Sequence, residues 1–203
     1  MGRINVSERP PSIRSGPKQP IAGANPEDSL LIERARQDPM AFAEVYRRHH
    51  ARVYNYLRLR TLTAEEAADL THEVFFKALD ALPRYQERGL PVIAWLMRIA
   101  RNSAIDAARK RHPSVDFALV PETVFEESEA NPEVAVLARE RLNQLRVAVL
   151  RLDRDKRDVL ALRFRSGLSS REIGLVTGKS EAAVKKQITR TLHELRKRLQ
   201  DVV

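Results

Sequence analysis

The stretch from Leu168 to Leu199 constrains the fold of this chain more than any other part of the sequence. From Val184 onward its apolar residues recur at helical spacing, and they are Val184, Ile188, Leu192, Leu195 and Leu199. This spacing places them on one face of a helix with 3.6 residues per turn. The pattern therefore predicts a long amphipathic helix at the C-terminal end of the stretch.

A second, shorter helix is predicted just before the long one. Ser169 is followed three residues later by Glu172, the pattern of a capping box, and Ile173 and Val176 then point inward. Gly178 predicts the turn, and a serine at position 180 predicts the N-cap of the long helix. A short helix, a tight turn containing glycine and a longer basic helix are typical of a helix-turn-helix that reads DNA.

The face of the long helix opposite its apolar residues is polar and basic. The candidate nucleic-acid contacts on it are Lys185, Lys186, Gln187, Thr189 and Arg190. Lysine and arginine offer charge to phosphate oxygens, and amide or guanidinium groups can pair with base edges. The alternative is a surface helix whose charges are only solvated. We favour DNA binding because the capping, turn and face patterns agree.

Composition limits the class of protein. Only 7 of 203 residues are glycine, no alternating strand pattern is present, and 43% of residues are hydrophobic, so we expect an all-α fold. A net charge of +9 favours a polyanionic partner. No apolar run approaches the roughly 20 residues that span a bilayer, so no membrane insertion is expected. The absence of cysteine excludes thiolate chemistry, and the lack of an apolar leader predicts a cytoplasmic location.

The first half of the chain is predicted to contain a tail and several helices. Residues 1–25 carry four prolines and several basic residues without helical or strand periodicity, which predicts a disordered basic tail. A helix over residues 26–37 is expected next. Asp38 before Pro39 is an N-cap pattern, and it precedes a helix with one apolar face formed by Phe42, Val45, Tyr46, Val53 and Leu57.

The helix predicted from Thr63 to Leu82 has an acidic outer face in a chain that is otherwise basic. Its inner residues are Leu70, Val74, Phe75, Ala78 and Leu82, whereas Asp69, His72 and Glu73 point elsewhere. Such a face is either simply solvated or a docking surface for a basic partner.

A second basic surface is predicted after Pro83. The loop of residues 84–91 contains Tyr85, Gln86 and Arg88, a mixture suited to stacking on and hydrogen-bonding an unpaired base. The helix that follows, from Val92 to about Arg111, carries Arg98, Arg101, Asn102 and Arg109. Trp95 could stack on a base, but its place among apolar residues favours the core.

An acidic, proline-containing segment then divides the chain. We assign residues 26–112 to the first helical domain, 113–135 to a flexible acidic linker and 136–203 to the second domain, which contains the helix-turn-helix. We also expect a helix from Val134 to Leu152, which begins at the end of the linker. Another is expected from Asp158 to Arg165, with Val159, Leu160, Leu162 and Phe164 packing against the helix-turn-helix.

Two stretches resemble the sigma factors of bacterial RNA polymerase, and specifically the extracytoplasmic-function (ECF) subfamily of the sigma-70 family. One combines AADLTHEVFFK at residues 67–77 with AWLMRIARNSAID at residues 94–106. The other combines GLSSREIG at residues 167–174 with SEAAVK at residues 180–185. The two stretches occur in the family's order and spacing.

The resemblance implies a role for each surface. Asp69, His72 and Glu73 would dock on core RNA polymerase. The minus-10 promoter element would be opened and read by Tyr85, Gln86, Arg88, Arg98, Arg101, Asn102 and Arg109. The minus-35 element would be read by Lys185, Lys186, Gln187, Thr189 and Arg190. The family also implies promoter DNA as a ligand and an anti-sigma factor as a further partner, without a cofactor or a metal.

Two other classes of protein compete with this interpretation. A conventional helix-turn-helix regulator, acting without being a polymerase subunit, would explain the C-terminal stretch but not the arginine-rich helix or the acidic linker. An enzyme is disfavoured, because His72-Glu73 lacks the second histidine of a zinc protease motif and no glycine-rich phosphate loop is present.

Overall fold

The computed structural model describes residues 26–85, 91–111 and 132–200. All regular structure in these ranges is helical, as the sequence predicts. The α-helices are α1 (Pro26–Gln37), α2 (Phe42–Arg58), α3 (Ala64–Ala81), α4 (Val92–Arg111), α5 (Pro132–Leu150), α6 (Arg154–Phe164), α7 (Ser170–Thr177) and α8 (Glu181–Gln200). Two 3₁₀ turns, Pro39–Ala41 and Leu82–Arg84, precede α2 and follow α3.

Side-chain caps fix the start of the 3₁₀ turn before α2 and the start of α3. The Asp38 carboxylate accepts a hydrogen bond from the Met40 backbone N–H at 2.9 Å, and the Thr63 hydroxyl accepts one from the Glu66 N–H at 3.1 Å. Each cap satisfies a backbone donor that the helix itself leaves without an acceptor. The inner face predicted for α3 is fully buried. The predicted start of α3 is confirmed, whereas Asp38 caps the 3₁₀ turn Pro39–Ala41 and α2 begins only at Phe42, where Ala41 makes no side-chain cap bond.

Two predictions concern the tail and the linker. Residues 1–25 and 112–131, which include the predicted tail and most of the predicted linker, lie outside the described residues. Helix α5 begins at Pro132, earlier than the domain start expected at residue 136. Proline is tolerated at a first helical position because its missing N–H has no intrahelical acceptor there.

Helix α6 differs from the prediction at both ends. It begins at Arg154, because Asp153 caps it by accepting a hydrogen bond from the Lys156 N–H at 2.9 Å. Phe164 is 61% exposed, so its predicted packing against the helix-turn-helix is wrong. Two residues after Leu162 the helix has turned by about 200°, which points the Phe164 ring away from the buried face.

The helix-turn-helix forms as the sequence predicts. Ser169 and Glu172 make a complete capping box at the start of α7, and Gly178 ends the helix in the left-handed conformation at φ 77°. The Ser180 hydroxyl accepts a hydrogen bond from the Ala183 N–H at 3.2 Å at the start of α8. Gly174 allows the closest approach, since a Cβ there would lie 2.5 Å from the backbone oxygen of Lys179.

The buried face of α8 departs from the predicted stripe at one position. Leu192 is 43% exposed, and Thr191 is buried in its place at 1%. At 3.6 residues per turn, Thr191 lies about 20° around the helix from Val184, whereas Leu192 lies about 80° from it. The Thr191 hydroxyl can be buried because it donates a hydrogen bond to the backbone oxygen of Gln187 at 2.8 Å.

The two halves of the chain pack directly on each other. Helix α4 contacts α7, and one continuous cluster of buried apolar residues includes Val53, Leu57 and Leu96 from the first half together with Leu162 and Ile173 from the second. A smaller cluster between α5, α6 and α8 contains Ala148, Leu152, Leu160 and Leu195. Helix α7, the first helix of the helix-turn-helix, is therefore covered on one side by α4.

Candidate nucleic-acid interface

The outer face of α8 presents charge and hydrogen-bonding groups to solvent. Lys185, Lys186, Thr189 and Arg190 are exposed, as predicted, and Gln187 is half-buried. The Lys185 ammonium pairs with Glu181 at 2.6 Å, and this hydrogen bond lowers the pKa of the Glu181 carboxyl. The pair is exposed, so it costs little to exchange for a phosphate contact.

The side-chain amide of Gln187 is held in place by a neighbour that the sequence did not indicate. The Lys179 ammonium, in the turn between α7 and α8, donates to Gln187 Oε1 at 2.9 Å and also contacts Asp155 Oδ2 at 3.0 Å. Asp155 of α6 therefore holds Lys179, and Lys179 in turn positions Gln187. The amide can pair with a base edge once its oxygen gives up the hydrogen bond from Lys179.

Helix α4 carries the second set of candidate residues. Asn102 and Arg109 are exposed, whereas the other two arginines contact the C-terminal half. Arg98 donates to the backbone oxygen of Leu175 at 2.9 Å, and the Arg101 Nε donates to Asp158 Oδ2 at 2.7 Å. The candidates Gln86 and Arg88 lie outside the described residues.

Tyr85 occupies a different environment from the one predicted. The sequence predicts a loop open to an unpaired base, but only 5% of Tyr85 is exposed. Its ring centroid lies 4.4 Å from that of Trp95, because the 3₁₀ turn at Leu82–Arg84 folds the chain back onto α4. The expectation of an exposed Tyr85 is wrong. Trp95 is 8% exposed, so its prediction as a core residue is confirmed.

The outer face of α3 is exposed and acidic. Asp69, His72 and Glu73 all face solvent, and Glu73 pairs with Lys77 at 2.5 Å. The His72 ring stacks on Tyr46 of α2 with centroids 6.4 Å apart. Burial, and then the neighbouring His72, lower the pKa of His50 on the same side of α2. This face offers carboxylates on a rigid helix to a basic partner.

Asp158 is the residue whose importance sequence analysis missed. The sequence predicts it only as the first residue of a helix, yet it is a buried carboxylate with three donors from the N-terminal half. Its only sequence signal was an acidic residue beside the apolar positions Val159, Leu160 and Leu162. The described residues contain no group of three or more side chains suited to holding a metal ion.

Comparison with protein families identifies the two halves. The model of sigma-70 region 2 matches residues 45–113, and the model of sigma-70 region 4 matches residues 142–195. The chain belongs to the sigma-70 family. The two matches contain α3 and α4 in one case and the helix-turn-helix in the other, so they include most of the candidate surfaces.

Similar proteins place the sigma factor in the ECF subfamily. It is 33% identical over 172 residues to the ECF RNA polymerase sigma factor BldN of Streptomyces coelicolor, covering 84% of this chain and 65% of BldN. It is 31% identical over 175 residues to the ECF sigma factor SigD of Mycobacterium tuberculosis, covering 83% and 82% of the two chains. Like other members, it directs promoter-specific transcription by RNA polymerase.

Solved structures share its fold. CnrH in complex with the cytosolic domain of CnrY has a TM-score of 0.63 at 24% identity, covering 86% of this chain and 97% of CnrH. The sigma factor RpoE in complex with the anti-sigma factor NepR from Bartonella quintana has a TM-score of 0.59 at 19% identity, covering 78% and 96%. Within the described ranges, the sigma factor has no helix long and apolar enough to cross a membrane.

Proposed function

We propose that three surfaces of this sigma factor have three different binding roles. The acidic face of α3 docks on core RNA polymerase, α4 with the preceding loop opens and reads the minus-10 element, and α8 reads the minus-35 element. The proposal assigns region 2 to residues 26–112, the linker to 113–135 and region 4 to 136–203. The observation that carries it is the placement of one acidic and two basic faces on three different helices.

Readout of the minus-35 element is assigned to the outer face of α8. Lys185, Lys186 and Arg190 supply charge for phosphate oxygens, and Thr189 adds a hydroxyl. Gln187 supplies the amide that discriminates between base pairs, because an amide can accept and donate to adenine at once. The capping box and the Gly178 turn hold α8 at a fixed angle on α7.

Readout of the minus-10 element is assigned to Arg98, Arg101, Asn102 and Arg109 on α4 and to Gln86 and Arg88 in the loop before it. The arginines neutralise phosphates of the separated strand, and Asn102 offers an amide to a base edge. Tyr85 takes a supporting role, because its ring packs on Trp95 and anchors the end of the loop.

Docking on polymerase is assigned to Asp69, His72 and Glu73. The carboxylates steer a basic partner, and His72 extends the face onto α2 through its stacking on Tyr46. We further propose that the protein acts in the cytoplasm, without catalytic activity of its own. An anti-sigma protein is a proposed regulator, by analogy with the complex of RpoE and NepR.

Reversal of charge on α3 tests the docking assignment. Asp69→Lys combined with Glu73→Lys should weaken binding to core polymerase by at least about tenfold, because attraction to a basic surface becomes repulsion. Binding is measured with purified core enzyme, and promoter-specific initiation by run-off transcription. Circular dichroism checks that the full chain remains folded.

A matched control distinguishes the effect of the α3 face from the effect of total net charge. Glu33→Lys combined with Glu140→Lys makes the same change in net charge at exposed sites on α1 and α5. This control should bind core polymerase like the wild type. Equal losses in the two double variants would show that total charge, and not the α3 face, governs binding, and would refute the assignment.

A further inference from the structure

The contact between the two halves is centred on one carboxylate. Asp158 of α6 is 7% exposed, and its three side-chain donors come from the first half of the chain. Its Oδ1 accepts from the Tyr56 hydroxyl at 2.8 Å and from Arg60, and its Oδ2 accepts from the Arg101 Nε at 2.7 Å. Only the packed halves bring these protein donors to both carboxylate oxygens.

Two arginines compensate the negative charge of the buried Asp158 carboxylate. Burial alone would raise the pKa of Asp158, but the charge of Arg60 and the hydrogen bond from Arg101 keep that pKa below its ordinary value. The Arg60 guanidinium also lies over the Tyr56 ring, 3.6 Å from its centroid. A buried carboxylate of this kind is stable only with its cations, and removing one partner leaves the others uncompensated.

Two further arginines reach across to backbone oxygens of the second half. Arg52 donates to the Ser166 oxygen at 2.6 Å and to the Gly167 oxygen at 3.3 Å, just before the helix-turn-helix. Arg98 donates to the Leu175 oxygen at 2.9 Å within α7. Four arginines of the first half thus hold the second half through polar contacts, which water can replace when the halves separate.

This closed arrangement conflicts with promoter binding in two ways. Arg98 and Arg101 belong to the minus-10 surface, and their guanidinium groups are engaged by Leu175 and Asp158. In addition, the minus-10 and minus-35 elements are about 25 base pairs apart, or about 85 Å of B-DNA. Helix α7 of the helix-turn-helix packs directly on α4, and a domain of about 100 residues has a radius of gyration of only about 13 Å.

We propose that the closed packing is an autoinhibited state, in which Asp158 is a latch that keeps Arg98 and Arg101 of the minus-10 surface bound to the second half until the two halves separate. This inference rests on the proposed minus-10 role of Arg98 and Arg101. Opening releases both arginines from their contacts with the second half and frees the helix-turn-helix to reach the distant minus-35 element. Polymerase, by holding the two halves apart, would favour the open state.

Asp158→Asn tests the latch, because it removes the charge and keeps the shape. The chain has no cysteine, so Glu65→Cys on α3 and Arg196→Cys on α8 can carry a donor and an acceptor dye. Energy transfer in the full chain should fall when Asp158→Asn is introduced. The affinity of this variant for a fluorescent single-stranded oligonucleotide of randomised sequence should rise by about tenfold or more, because apparent affinity scales with the open fraction.

Two more variants make the test specific. Arg52→Ala removes contacts to Ser166 and Gly167 without touching the DNA surfaces, so it should also lower energy transfer and strengthen DNA binding, and it serves if Asp158→Asn fails to fold. Glu140→Gln is the matched control, because it removes an exposed carboxylate of the second half, on α5. It should leave energy transfer and binding of the oligonucleotide unchanged.

The outcomes separate the latch from the proposed function. Unchanged energy transfer in both D158N and R52A would overturn the latch. A fall in energy transfer without any gain in DNA binding would also overturn it, provided that Arg101 still contributes to DNA binding. That contribution is measured by adding Arg101→Ala to D158N. If this addition leaves DNA binding unchanged, Arg101 has no role at the minus-10 element, and the inference that the closed state blocks this role fails too. Energy transfer still reports whether Asp158 holds the two halves together.

Discussion

At the scale of single residues, neighbouring side chains on α8 are suited to different tasks. Gln187 is half-buried and oriented by Lys179, whereas Lys185 is an exposed ammonium in a loose pair with Glu181. An oriented amide discriminates between bases, and a mobile charge attracts any phosphate. Their substitutions should therefore differ in kind as well as in size.

The expected contrast can be measured with polymerase holoenzyme on a panel of minus-35 variants. Gln187→Ala should lose about 1–3 kcal/mol of binding free energy on the preferred sequence and little on altered ones. Lys185→Ala should weaken binding to all sequences alike and reduce the salt dependence by about one counterion.

Lys197→Ala, which removes an exposed lysine in the last turn of α8, is the control for charge alone. It should leave the sequence preference unchanged. Identical sequence profiles for Gln187→Ala and Lys185→Ala would remove the case for Gln187 as a base reader.

At the scale of elements, the helix-turn-helix depends on how closely its turn approaches α7. A Cβ on Gly174 would lie 2.5 Å from the backbone oxygen of Lys179, and this backbone cannot move without shifting the turn. Alanine in a helix is ordinarily favoured over glycine by about 1 kcal/mol. The clash opposes that gain, since overpacking of this kind costs about 1–3 kcal/mol.

Gly174→Ala should therefore lower the free energy of unfolding in spite of its better helix propensity. Denaturant unfolding followed by circular dichroism measures the change. Ser170→Ala, in the first turn of the same helix, is the control and should change stability by less than about 0.5 kcal/mol. A stabilised Gly174→Ala protein would show that the turn can move away from α7.

At the scale of the whole molecule, the packing of the halves should depend on the ionisation of Asp158. Its pKa is lowered in the closed state, where burial is outweighed by Arg60 and Arg101. A carboxyl with a lowered pKa favours the closed state fully above its ordinary pKa of about 3.9. That contribution is lost as the pH falls through the lower value of the closed state.

Acidification below about pH 4 should therefore open the two halves. Energy transfer between the labels on α3 and α8, followed from neutral pH downward, measures the transition. The Asp158→Asn protein, which is expected to be open already, should show no such transition. A midpoint near pH 6.5 would point to a histidine and contradict the role of Asp158.

The sequence alone determined the helix-turn-helix and most of the other helices and caps, although not the bounds of α6. Asp38, Thr63 and Ser169 cap the residues just after them, so each cap depends on hydrogen bonds within a few positions of the chain. Helical periodicity likewise assigned most of the buried faces of α2 and α3, because those faces repeat regularly along the sequence. The family resemblance rested on the same local patterns.

Only the tertiary structure decided which residues these helices bury against each other. Tyr85 is buried because the chain folds back and places it beside Trp95. Asp158 meets its partners across 98 and 102 positions of sequence, at Arg60 and Tyr56. Such contacts depend on the packing of helices distant in the chain, which local hydrogen bonding and periodicity do not encode.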